Sequence, residues 1–93
     1  MLVGEVFEDE TQVAWTAMPE HAPVVTADGT VIGKTDRVLG DRDEDIFHGL
    51  VVRRGDGEAI EISAKRIQRI TQRHVITDLG ADEAKGLPPY RDR

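Results

Sequence analysis

The side chains able to do chemistry are few, and their spacing does not favour it. His21, His48 and His74 stand 27 and 26 residues apart, without the short spacing that sets two metal ligands on one helix or strand. They read as solvated or hydrogen-bonded histidines, and no metal centre is implied. The single serine, Ser63, lies in Ile62-Ser63-Ala64-Lys65, which is neither a Gly-x-Ser-x-Gly elbow nor a Ser-x-x-Lys pair. Cysteine is absent, which removes thiol nucleophiles, thiolate metal sites and disulfides together. No catalytic residue and no cofactor is expected.

Two further patterns fail their own tests. Asp41-Arg42-Asp43-Glu44-Asp45 opens like a calcium loop. Its sixth position, however, is Ile46 where glycine is required, and its twelfth is Val52 where a bidentate glutamate is required. It is expected to be an acidic turn. Gly55-Asp56-Gly57 lacks the third glycine and the following helix of a dinucleotide site, and is also expected to be a turn. Leu87-Pro88-Pro89-Tyr90 has the look of a proline-rich ligand, but a tail that cannot continue a helix accounts for it equally.

The best candidate for a working surface is basic: Arg53, Arg54, Lys65, Arg66, Arg69 and Arg73. With them goes Trp15, the only tryptophan, which is expected either to plug one end of the fold or to anchor a partner. If residues 67–70 are a strand, Ile67 and Arg69 share one parity and Arg66 and Ile70 the other, so the cations need not form one patch.

Charge sets the background to that surface. The net charge is −6, unfavourable for general nucleic-acid binding, which draws on clustered cations. Residues 1–50 hold 11 acidic and 3 basic side chains, residues 51–73 hold 6 basic and 3 acidic, and the remaining 20 hold 4 acidic and 3 basic. Such a dipolar chain can offer an acidic face to a basic partner, a basic stripe to an acidic one, or each face to the other in a self-associated form.

Ninety-three residues suit one small domain with a modest core. No apolar stretch approaches the roughly 20 residues of a membrane span, and residues 1–10 carry three glutamates and one aspartate where a secretory signal would be basic. The chain reads as cytoplasmic.

The elements that must position these groups are strands. Ten Val, seven Ile and seven Thr stand against five Leu, and branching at Cβ suits a pleated surface. Turn signals divide the chain into residues 23–26, then Asp28-Gly29 as a hairpin turn, and residues 31–39 with Gly33 as a bend or bulge. After the acidic turn come residues 46–52, the Gly55-Asp56-Gly57 turn and residues 59–62. Residues 64–71 read either as a helix capped by Ser63 or as part of two strands, 67–71 and 74–79. Residues 81–85 suit one helical turn stopped by Gly86, followed by a loose extended tail.

One resemblance runs through these pieces. Asp28-Gly29, three residues, Gly33-Lys34, then Ile46-Phe47-His48-Gly49-Leu50-Val51-Val52 and Ile60-Glu61-Ile62-Ser63-Ala64-Lys65-Arg66-Ile67 resemble the PRC-barrel domain, over about residues 15–79. The matching residues are turn glycines and core apolars, so the resemblance bears on fold more than function. It implies an all-β fold: a small six-stranded antiparallel barrel with residues 67–70 and 74–79 as strands, a short C-terminal helical turn and an extended tail. The inward side would carry Val24, Ile32, Val38, Phe47, Leu50, Val52, Ile60, Ile62, Ile67, Ile70 and Val75. The acidic segment 1–14 and the tail 80–93 fall outside it. The resemblance also implies a non-catalytic interaction or adaptor module whose partner is a protein, with a homodimer as one form. The alternative it implies is an RNA-associated, ribosome-assembly role, by analogy with a ribosome-maturation factor of the same family.

Overall fold

The computed structural model describes residue 7 and residues 9–91. Six strands form one sheet: β1 (Pro23–Val25), β2 (Val31–Asp41), β3 (Ile46–Arg53), β4 (Ala59–Ser63), β5 (Ile67–Ile70) and β6 (Val75–Thr77). One short helix, α1 (Ala81–Lys85), follows. The sheet order is β4-β3-β2-β1-β6-β5. Among the described residues no helix is long and apolar enough to cross a membrane.

Turn chemistry accounts for the strand boundaries. At the β1–β2 turn Gly29 supplies a φ of 92°, which costs a residue without Cβ nothing. The Asp28 carboxylate accepts from the Thr30 N–H at 3.2 Å and from the Thr30 hydroxyl at 3.0 Å, closing the turn from inside. Gly57, at φ 88°, does the same between β3 and β4, where the Arg54 N–H donates to the Glu58 carbonyl at 2.8 Å. The choice left open for residues 64–71 resolves into a single 3-10 turn, Ala64–Arg66, whose Ser63 hydroxyl accepts from the Lys65 N–H, and then strand β5.

All six strands contribute to one core. Val24, Ile32, Leu50, Val52, Ile60, Ile62, Ile70 and Val75 come from all six strands and form one buried cluster with Leu79 and Ala84. Val38, Phe47 and Ile67 pack against it from the rim. All eleven inward candidates are thus buried in the cluster or seated on it. Val25, Val51 and Ile76, whose positions alternate with members of that cluster, are also 1% exposed, so the opposite face of the sheet is not simply solvated.

Two expectations are corrected. The sheet is mixed, not antiparallel throughout, because β1 pairs with β6 in parallel, Val24 opposite Val75 and Val25 opposite Ile76. The chain reaches β6 only after crossing from β4 to β5, and that route delivers β6 to the free side of β1 running in the same direction. The tail, expected to be loose, is docked: the Pro88 carbonyl accepts from the Glu61 N–H at 3.3 Å and the Tyr90 N–H donates to the Ala59 carbonyl at 2.9 Å. Its two prolines bring no N–H to the ladder, yet Leu87 adds apolar contact with the core. The Arg37 guanidinium donates to the Tyr90 hydroxyl at 3.2 Å.

The opposite edge is treated likewise. The Val13 N–H donates to the Ile70 carbonyl at 2.9 Å, and the Gln72 N–H donates to the Thr11 carbonyl at 3.0 Å. Each end of the sheet is therefore covered by a terminal segment of the chain itself, which leaves less unpaired backbone to template association with other strands.

Candidate interaction surface

The seven residues singled out by sequence do not gather. Arg53 and Arg54 lie at the end of β3; Lys65 and Arg66 lie in the 3-10 turn after β4. Arg53 pairs with Ala59 at one end of β4, and Ser63 is at the other, which puts the two groups about 13 Å apart along the strand. Arg69 sits on β5 in a separate groove with Phe47 and Val13. Arg73 lies in the β5–β6 turn, beside Phe7, Asp9 and Glu10.

Several of these cations are already engaged. Arg53 Nη2 donates to the Asp36 carboxylate at 2.8 Å and Arg53 Nη1 to the Gly57 carbonyl at 2.8 Å. Arg66 bridges Asp78 at 2.6 Å and Glu83 at 2.9 Å, tying the 3-10 turn to the start of α1. That guanidinium holds the Glu83 carboxyl below its ordinary range, and the two carboxylates raise the pKa of Arg66. Trp15 stacks on Phe47 at a centroid distance of 5.4 Å and donates from Nε1 to Asp45 at 3.0 Å. It is half-buried and packs against the core cluster.

Sequence reasoning missed a groove of about 550 Å³ alongside Val31, Lys34, Arg53 and Arg54, with His21 at its margin. Pairing geometry creates it. Lys34 opposite Arg53 is the last pair between β2 and β3, so residues 31–33 run on past the end of β3. In β1, Val24 faces Gly33 but Val25 faces Val31, a bulge at Ile32 beside the glycine expected to bend. This extra residue rotates the strand, so that Ile32 is buried while Val31 is 64% exposed. Lys34 is exposed as well. Val31 and Lys34 differ in parity, so strict alternation could not have placed both outside. Gly33 was the available signal.

The second polar cluster closes the N-terminal segment onto the β5–β6 turn. Glu10 Oε1 accepts from the Thr71 hydroxyl at 2.8 Å and meets His74 Nδ1 at 2.8 Å. The Phe7 ring stacks on His74 at 3.7 Å. Burial pushes the Glu10 carboxyl up, but hydrogen bonds from His74 and Thr71 and the nearby charges of His74 and Arg73 together hold it below its ordinary value of 4.5. A carboxyl whose pKa falls on folding stabilises the fold above its unfolded pKa and loses that contribution as pH drops through the folded value. Glu10→Gln should therefore melt several degrees lower than the parent at neutral pH. The gap should narrow steadily below about pH 4.5. Paired thermal melts across that range check it, and a gap independent of pH contradicts it.

Among the described residues no three histidine, aspartate or glutamate side chains gather into a metal centre, and every buried side-chain nitrogen and oxygen has a hydrogen-bond partner. The Glu10, Thr71 and His74 cluster is accounted for by holding two chain segments together. A scan against protein-family models finds no match for the chain, and a search of curated proteins finds none either.

Proposed function

We propose that this protein is a non-catalytic interaction module, a PRC-type barrel that works through its outer surface. The observation that carries this reading is the groove at Val31: an exposed branched aliphatic on the sheet, lined also by Lys34 and Arg54. A solvent-facing apolar side chain in a concave, charged setting is the kind of surface that protein partners cover. The core beneath it is packed: Val24, Leu50, Val52, Ile60, Ile62 and Val75 are all 0% exposed and lie in one cluster. The curled sheet, with core residues from all six strands, supports the barrel description.

The RNA-associated alternative draws less support. Phosphate binding needs free, clustered cations, whereas Arg53 and Arg66 are paired with carboxylates and the basic residues are dispersed.

The test is Val31→Asp in the tagged protein, crosslinked in native lysate. The exposed site tolerates a polar side chain, so the melting temperature should stay within a few degrees of the parent. The crosslinked protein species, whether with its own copies or with another protein, should be lost. Crosslinking identical to that of the parent would overturn the proposal.

A further inference from the structure

We infer that the partner for the Val31 groove is a second copy of this chain, presenting the acidic tip of its β2–β3 ribbon, so that copies join head to tail. This rests on the interaction-module reading above and names the occupant of that groove.

Two large hydrophobics are exposed among the described residues, Val31 at 64% and Ile46 at 45%. They stand at opposite ends of one ribbon. Val31 begins β2, and Ile46 pairs with Asp41 at the end of β2. Eleven residues of strand separate these ends by about 33 Å, in a molecule 45 Å long. They cannot meet within one chain, but they can meet between two.

Charge then distinguishes the ends. Beside Val31, Lys34 and Arg54 have no carboxylate partner among the described residues, the neighbouring Arg53 being the one held by Asp36. Beside Ile46, Asp43 and Glu44 likewise have no partner for their carboxylates. Asp41 is spent on the turn, accepting from the N–H groups of Asp43 at 3.0 Å and Glu44 at 3.2 Å, and Asp45 is taken by Trp15. Each end thus offers one exposed aliphatic and two free charges, with opposite signs at the two ends. That is the complementarity a docking contact needs for both attraction and register.

Shape and order agree. The tip is narrow and convex, a turn over residues 42–45, and the groove is concave. The tip is also held in place before any contact: Arg42 donates to the Thr16 carbonyl at 3.1 Å, and Trp15 fixes Asp45 at a φ of 54°. A preordered loop loses little freedom on docking. Because the two surfaces differ, the contact is heterologous, and it propagates into open chains or a ring rather than stopping at a two-fold dimer. One hairpin tip in one groove is a small contact, so the association should be weak, concentration-dependent and sensitive to salt.

Sedimentation velocity at low salt tests this with two charge-reversed variants, Lys34→Glu/Arg54→Glu in the groove and Asp43→Lys/Glu44→Lys at the tip. The unmodified protein should grow in mass with concentration beyond a dimer. Each variant alone should associate at least about tenfold more weakly, since like charges then face each other. An equimolar mixture of the two should recover association, because each reversed surface finds its complement on the other variant. Melting temperatures close to the parent's would show that both variants fold, and the mixture provides a readout that misfolding cannot imitate. A strictly monomeric parent, a mass that stops at two copies, or a mixture that fails to recover would each overturn the inference. If the parent is monomeric yet still captures another protein through Val31, the interaction-module reading survives and only the choice of occupant falls.

Discussion

Replacing Leu50 by alanine should cost the fold about 3 kcal/mol and lower its melting temperature by roughly 15 °C. Leu50 is 0% exposed and lies on the interior strand β3, flanked across the ladder by Val38 of β2 on one side and Ile62 of β4 on the other. Its side chain fills space bounded by strands already locked in register, so little can collapse into the gap. The destabilisation then includes both lost burial and a residual cavity. A domain of this length has a total stability of only about 5–14 kcal/mol, which makes one such truncation a large fraction of the whole. Thermal or urea unfolding measures it, and a loss below about 1 kcal/mol would mean that the interior of the sheet is not packed as described.

The second large effect comes from the smallest possible addition. A Cβ at Gly33 would collide with the Arg53 carbonyl oxygen and sit 2.9 Å from Val52 Cγ1. The first of these is backbone and cannot swing away, so Gly33→Ala should cost about 2 kcal/mol and lower the melting temperature by roughly 10 °C. Gly55→Ala serves as the control, since nothing lies within 4 Å of a Cβ built there. Equal melting temperatures for the two variants would refute the close approach of β2 to the end of β3. Because Gly33 also lines the groove beside Val31, the alanine should disturb that surface even where the protein still folds.

How much of this was legible in the sequence depended on what fixed each feature. Strands whose cores alternate and whose turns carry Asp-Gly or Gly-Asp-Gly could be placed to within a residue or two, as in residues 46–52 against the observed Ile46–Arg53. There the local signal and the fold agree. The parallel pairing of β1 with β6 could not be read, since it joins segments about 50 residues apart and leaves no mark on either one. The docked tail was hidden for a similar reason. Its prolines look like a break in structure, and only the β4 edge shows that Pro88 needs nothing more than its carbonyl to pair.

The candidate surface was legible by composition but not by place. Counting cations found Arg53 and Arg54, which do border the groove, but it also collected Arg66, which is consumed by Asp78 and Glu83. It passed over Lys34, whose exposure follows from a bulge in the pairing of β1 with β2. The acidic run 41–45 was visible as charge, while the division of labour within it was not: two carboxylates hold the turn and two face outward.

The bordering of the sheet by residues 11–13 on one side and 88–90 on the other changes what counts as the smallest autonomous unit of this protein. A fragment cut to residues 15–79 keeps every strand of the sheet but sheds both hems, leaving raw selvedges of β4 and β5 that resemble the seeds of fibrillar stacking. The stretches that look like appendages are better regarded as the finishing seams of the fabric, and a tag or fusion partner is best attached beyond them.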